Sequence, residues 1–232
     1  MKLIIEENYE VLSQTVASLI LAEIYQEKRV NIDLTDGSSP QGTFDILAKI
    51  FQKHPDRLDN VHIYNHDELE GGAIVDGLLR KQIHLPFGFK EENIHRMTFE
   101  NHQEFMKEIE NDGGLDFMLL GLGADGHFCA NFPGTPCFDK LVYTYNPKEY
   151  PWYEEYLTNM GMTEMPQIAT FGFRSVLRAK KVVVVVNGAK KAQAVYDIFN
   201  KELSEKIPGT ILRLHPNITF VLDEEAASLL KK

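Results

Sequence analysis

The chain of 232 residues carries 34 Asp and Glu against 24 Lys and Arg, a formal net charge of -10 that argues against nucleic-acid or anionic-membrane binding through clustered base. With 44% hydrophobic and 25% charged residues it can fill a core and is not disordered. Its two cysteines, Cys129 and Cys137, lack CxxC or zinc-ligand spacing, and no apolar run or N-terminal signal profile stands out, so the expectation is a soluble cytoplasmic protein without a disulfide framework.

In chain order, Lys2–Glu6 reads as a strand, and Tyr9–Gln26 as a helix with Leu12, Val16, Leu19, Ile20 and Ile24 on one face. Val30–Thr35 is a second strand, closed by the turn Asp36-Gly37-Ser38-Ser39-Pro40. A helix through Ile46, Leu47, Ile50 and Phe51 follows, then strands over Val61–Asn65 and Leu115–Gly121. Tyr143–Tyr156 is aromatic and irregular, either a lid or a surface excursion. The five valines Val182–Val186 are apolar on both faces, as expected at the centre of a parallel sheet covered on both sides. Ile218–Leu222 reads as the last strand and Glu224–Lys231 as a closing helix. No repeat or low-complexity tract breaks the chain, so one continuous α/β domain over 1–232, with three layers, is expected. Ligands of such sheets gather where strands end and loops lead into helices.

Four such loops carry chemistry. In Thr35-Asp36-Gly37-Ser38-Ser39-Pro40, Gly37 permits close backbone approach, and Ser38 and Ser39 add hydroxyls beside amides at a helix start. That is either a phosphate cradle or an ordinary N-cap turn, and without a Walker GK[ST] ending it is no P-loop. Tyr64-Asn65-His66-Asp67-Glu68 offers two carboxylates and a histidine, suited to general-base work or to a solvated acidic turn. No companion cluster with metal-ligand spacing accompanies it.

Gly121-Leu122-Gly123-Ala124-Asp125-Gly126-His127 formally matches the GxGxxG dinucleotide fingerprint. Pro133, Gly134 and Pro136 follow closely and forbid the long helix that a pyrophosphate would need, so no nucleotide cofactor is expected. The turn instead presents Asp125 and His127 as an acid–base pair. Cys129, close by, is expected to be a small packed side chain. In Asn187-Gly188-Ala189-Lys190-Lys191, lysines in a first helical turn oppose the macrodipole, which a bound anion would relieve; the alternative is that they point into solvent.

Taken together, DGSSP, HDE, LGLGADGH and NGAKKA in this order, with Pro208–Pro216 (PGTILRLHP) near the end, resemble the glucosamine-6-phosphate deaminase/6-phosphogluconolactonase family along essentially the whole chain. The resemblance implies a mostly parallel, modified Rossmann-like sheet with no cofactor and no metal. It implies phosphate binding by Gly37, Ser38 and Ser39 with help from Lys191. Asp67 matches the carboxylate that moves a proton between C1 and C2, with Glu68 beside it in the acidic pair. Asp125 and His127 match the pair that opens the sugar ring in deaminases, the histidine activating water in lactonases. Arg174 is added as an extra phosphate ligand without family support.

Two departures pull in opposite directions. Phe132 stands where deaminases carry a glutamate, and Asn131-Phe132-Pro133-Gly134 is closer to the lactonase form. Asp67-Glu68-Leu69-Glu70-Gly71 lacks the arginine that lactonases place after the acidic pair. The leading expectation is an amino-sugar 6-phosphate isomerase/deaminase, and the second is 6-phosphogluconolactone hydrolysis. The third is a sugar-phosphate sensor, disfavoured because a strand begins at Lys2 and leaves no room for an N-terminal DNA-binding module. The expected partner is a small sugar phosphate, with neither nucleic acid nor membrane; a homo-oligomer is left open.

Overall fold

The computed structural model describes residues 1–230, Met160 by its backbone alone. Its centre is a six-stranded, wholly parallel sheet. Its strands are β1 (Lys2–Glu6), β2 (Val30–Leu34), β3 (Val61–Tyr64), β5 (Phe117–Gly121), β8 (Val182–Val186) and β9 (Ile218–Asp223), in the spatial order β1-β9-β8-β5-β2-β3. A small antiparallel sheet, β4 (Asp67–Leu69), β6 (Val142–Tyr145) and β7 (Ile168–Phe171), is ordered β4-β7-β6.

Side-chain alternation along the central strands divides the core in two. Val182, Val184 and Val186 of β8, with Met118 and Leu120 of β5, face one side; Val183, Val185, Phe117 and Leu119 face the other. The second side is covered by α1 (Tyr9–Ile24), α2 (Gln41–Lys53) and a wide π-helical stretch, Ile74–His84, which runs into a last turn, α3 (Leu85–Phe87). The first is covered by α4 (His102–Asn111), α5 (Tyr153–Met160), α6 (Phe173–Arg178) and α7 (Ala192–Asn200). The valine run is therefore buried on both faces between β5 and β9, as its composition predicts. No helix among the described residues is long and apolar enough to cross a membrane.

Two expectations are corrected. Glu224–Leu230 forms consecutive turns rather than a closing helix, and Lys231 lies outside the described residues. Asp223 divides its carboxylate between the amides of Ala226 and Gly188, which fixes the first turn locally. The aromatic segment is not irregular throughout. It contains β6 and α5, and its rings stack inward, Phe132 on Trp152 at 4.4 Å and Trp152 on Tyr150 at 5.7 Å between centroids.

β8, β5, β2 and β3 are consecutive neighbours in the sheet, so their four carboxyl-terminal loops lie side by side. These are the loops that carry the sequence motifs.

Candidate active site

The four loops enclose a cleft of about 370 Å3, lined among others by Ser38, Ser39, Asp67, Gly123, His127 and Lys191. Part of the lining is the loop after β2 together with Lys191. Gly37 adopts φ 104°, a left-handed conformation open to glycine. Its amide donates to Gln82 Oε1 at 3.0 Å, while Gln82 Nε2 donates to the Gly37 carbonyl at 2.7 Å. Tyr9 holds the same loop from α1, donating its hydroxyl to the Ser38 carbonyl at 3.0 Å and accepting the Gly42 amide at 2.8 Å. The amides of Ser38 and Ser39 have no hydrogen-bond partner among the described residues. Lys191 crosses from the β8 loop and donates to Ser39 Oγ at 2.8 Å, whereas Lys190 is exposed and turns away. Burial pushes the Lys191 ammonium below its ordinary range, with Asp223 opposing, so an anion here would favour the charged form.

Asp67, the first residue of β4, also lines the cleft. Its cross-strand neighbour Thr170 donates to Oδ1 at 2.5 Å, and the Ala130 amide donates to the same oxygen at 3.0 Å. Ala130 follows Cys129, whose φ of 47° is left-handed for a residue with a Cβ and costs about 1–2 kcal/mol. Tyr145 fixes that turn by donating to the Ala130 carbonyl at 2.7 Å. Cys129 packs against the core, as expected, and also borders the cleft. It is half-buried, and burial, with the nearby carboxylates of Asp67 and Asp33, drives its thiol well above the ordinary cysteine range. The second oxygen of Asp67 faces His66 Nε2 at 3.3 Å.

His127 completes the lining, its Nδ1 2.6 Å from Asp125 Oδ1; Asp125 also accepts the His127 amide at 3.1 Å. Burial works to raise the Asp125 carboxyl, but the hydrogen bond and charge of His127 outweigh it and hold the group below the usual carboxylate range. The chain after Gly121 continues through turns, with no helix over residues 122–141, so the dinucleotide geometry is absent. Phe132, buried to 4% exposure, lays its ring 4.4 Å from that of His127.

Two expected site residues lie elsewhere. Glu68 is buried and faces away from the cleft, because strand alternation sends it opposite to Asp67. It accepts the amides of Leu69 and Ile74 on Oε1 at 2.7 and 2.8 Å and of Val75 on Oε2 at 3.0 Å, capping the π-helical stretch. Arg174 is exposed on α6 and outside the cleft lining, since α6 buries Phe173, Ser175 and Val176 and turns Arg174 to solvent.

Residues without a sequence signal of their own complete the arrangement. Thr170, Gln82 and Tyr9 act from far along the chain. Asp33 did leave a trace, a carboxylate within the short strand Val30–Leu34. Side chains of types that can bind metals gather in two places among the described residues, although sequence spacing shows neither. His66, Asp67 and Cys129 bring their donor atoms within 4.8 Å of one another, as do His95, Glu108 and Asp112. In the second group Arg29 donates to Asp112 at 2.7 Å and already supplies the positive charge.

A cleft at the carboxyl edge of a parallel α/β sheet, lined by serines, a lysine, a histidine and carboxylates, is where such sheets bind small ligands. Residues 6–220 match the family model described as glucosamine-6-phosphate isomerases/6-phosphogluconolactonase. The chain belongs to that family. It is 29% identical to glucosamine-6-phosphate deaminase of Thermoanaerobacter pseudethanolicus, covering 99% of this chain and 95% of that one. It is 28% identical to the glucosamine-6-phosphate deaminase of Shouchella clausii, over 99% and 97%. Among solved structures it resembles a monomeric glucosamine-6-phosphate deaminase (TM-score 0.82, 23% identity, 99% and 100% coverage). It also resembles 6-phosphogluconolactonase from Trypanosoma cruzi (TM-score 0.77, 19% identity, 100% and 97% coverage). At these identities the two structures bear on the fold alone.

Proposed function

We propose that the protein is an amino-sugar 6-phosphate isomerase/deaminase in which Asp67 moves the proton between adjacent sugar carbons. One observation carries this reading: Asp67 lines a single cleft together with Ser38, Ser39, Lys191 and His127, its Oδ1 fixed by two donors and His127 paired with Asp125. A phosphate held by Ser38, Ser39 and Lys191 would lay the sugar chain across Asp67 and bring the ring oxygen toward His127. His127 would then carry the proton from the C1 hydroxyl to the ring oxygen as the ring C–O bond opens, with Asp125 orienting the imidazole. Asp67 would take the proton from C2 and return it to C1, converting the open-chain aldose to a ketimine through an enolamine. One carboxylate above two adjacent carbons serves both transfers. Water then adds to the ketimine and ammonia leaves, giving a ketose phosphate.

The family and the names of the full-length relatives support this reading. The test is incubation with glucosamine 6-phosphate in deuterated water, followed by proton NMR and ammonia release. Exchange at C2 and a fructose-type product are expected; neither exchange nor turnover, on this or other hexosamine 6-phosphates, would reject it. Replacing Lys191 by Met is expected to raise KM about 10- to 100-fold, the worth of one charge-assisted hydrogen bond of about 1.5–3 kcal/mol, with a smaller change in kcat.

A second reading, lactone hydrolysis, is favoured by one feature. Phe132 packs on His127 where the deaminase glutamate would stand, leaving a two-membered pair that could activate water. It requires 6-phosphogluconolactone hydrolysis above the spontaneous rate and its loss in His127→Ala.

A further inference from the structure

We propose that Asp33 and His66 form a buried charge relay behind Asp67, in which a His66 imidazolium keeps the Asp67 carboxylate ionised and aimed into the cleft. Both are positioning residues, and the proposal rests on the reading of Asp67 as the base.

The geometry is a chain of three side chains. Asp33 Oδ1 lies 2.7 Å from His66 Nδ1, and His66 Nε2 lies 3.3 Å from Asp67 Oδ2. Asp33 is fully buried on β2, and His66 is 6% exposed between β3 and β4. Both ring nitrogens therefore face carboxylate oxygens, an arrangement that suits an imidazole with a proton on each. Asp33 supplies a second argument, because its Oδ2 is buried without any hydrogen-bond partner among the described residues. Burial raises the Asp33 carboxyl, and the charge and hydrogen bond of His66 are what oppose that rise, so a proton on both ring nitrogens is what would offset an unpartnered carboxylate oxygen in the interior.

The titratable groups facing His66 come from every element around it: Asp33 on β2, Asp36 in the loop after β2, Asp67 on β4 and the Cys129 thiol. Burial alone would push the imidazole down, but Asp33, Asp67 and Asp36 together hold it up to about 10. For Asp67 burial prevails and its carboxyl lies above the usual range; His66 is the largest influence opposing that rise, and the donors Thr170 and Ala130 follow. The cluster is thus three carboxyl groups in a poorly solvated space with one compensating cation. Without that cation Asp67 would hold its proton at higher pH, and a base that keeps its proton cannot take another. Asp67 Oδ1 is occupied by two donors, so Oδ2 is the oxygen left for substrate. His66 approaches it too distantly for a strong hydrogen bond but close enough for charge to act.

Two measurements test the relay. The first uses unliganded wild-type protein with nitrogen-15 histidine, followed by NMR from about pH 6 to about pH 9, across and above the ordinary histidine value. His66 should keep both nitrogens protonated to about pH 8; a neutral imidazole at about pH 7 overturns the proposal. This reading depends on no substrate, so it stands apart from the assignment of the reaction. The second is the pH profile of C2 hydrogen exchange in wild type, His66→Gln and Asp33→Asn. The glutamine side chain would keep an amide donor near Asp67 but not the charge. The acid limb should therefore move to higher pH by about one unit or more in His66→Gln, about a tenfold loss at any pH on that limb, and by less in Asp33→Asn. Lower activity with an unmoved acid limb would mean a purely structural role and would also overturn it.

Discussion

Asp67→Asn is expected to lower C2 hydrogen exchange by about 10²–10⁴-fold, the usual worth of a positioned general base, while leaving KM within a few-fold of wild type. The substitution separates binding from proton transfer because the cradle is built elsewhere. Lys191 comes from the β8 loop and Ser38 and Ser39 from the β2 loop, and none of them touches Asp67. The introduced asparagine can still accept from Thr170 and Ala130 through its carbonyl oxygen, so the turn at Cys129 and the β4–β7 pairing are retained. It then presents an amide NH2 to His66 Nε2, two donors facing each other, and His66 must give up a proton or turn aside. The variant should therefore show a second signature, a fall in the His66 titration in unliganded protein. A variant exchanging C2 at near wild-type rate would remove Asp67 from the mechanism. A rise in KM with exchange unchanged at saturation would make it a binding residue.

Much of this arrangement was legible in the chain itself, and for a physical reason. Loops that follow buried strands are punctuated by residues with strong local preferences, so DGSSP, GLGADGH and NGAKK stand out against their apolar strands. What no single segment announces is the partner of each group. Thr170 reaches Asp67 across 103 residues of sequence, and Gln82 reaches Gly37 across 45. The small sheet escaped for a related reason: β4 has three residues and β6 and β7 four each, too short for a period of two to emerge. Glu68 illustrates the opposite error. It reads as the twin of Asp67 in sequence, yet a strand sends neighbours to opposite faces, so the acidic pair comprises one group in the cleft and one structural cap.

The net charge of -10 takes on a narrower meaning in this light. On the proposed reading a phosphate dianion would not be drawn in by the protein as a whole. The attraction would come from groups within a few ångströms: the Ser38 and Ser39 amides, the Ser39 hydroxyl and Lys191. Asp36 and Asp67 line the same cleft, and on the proposed reading their carboxylates would disfavour poses that bring the phosphate near them.

Gly123→Ala should cost about 10²-fold in kcat/KM, although it changes no acid, base or phosphate ligand. A Cβ at position 123 would overlap the His127 imidazole at Nδ1 and lie 2.5 Å from Asp125 Oδ1. The two side chains are hydrogen-bonded to each other across the turn that Gly123 opens, with the Gly123 amide donating to the His127 carbonyl at 2.9 Å. They cannot both retreat, because the Phe132 ring is packed against the imidazole. The methyl group therefore breaks the pair or drives His127 out of the cleft, and either result removes the group assigned to ring opening. The diagnosis is a double-mutant cycle. If Gly123→Ala acts through the pair, it should have little further effect in a His127→Ala background, whereas two independent losses would multiply. Thermal unfolding of the single variant guards against a simple folding defect, since the added methyl strains one surface turn and leaves both halves of the core intact. Activity within a few-fold of wild type would show that the turn relaxes freely, and the close packing of Asp125, His127 and Gly123 would then have no bearing on the rate.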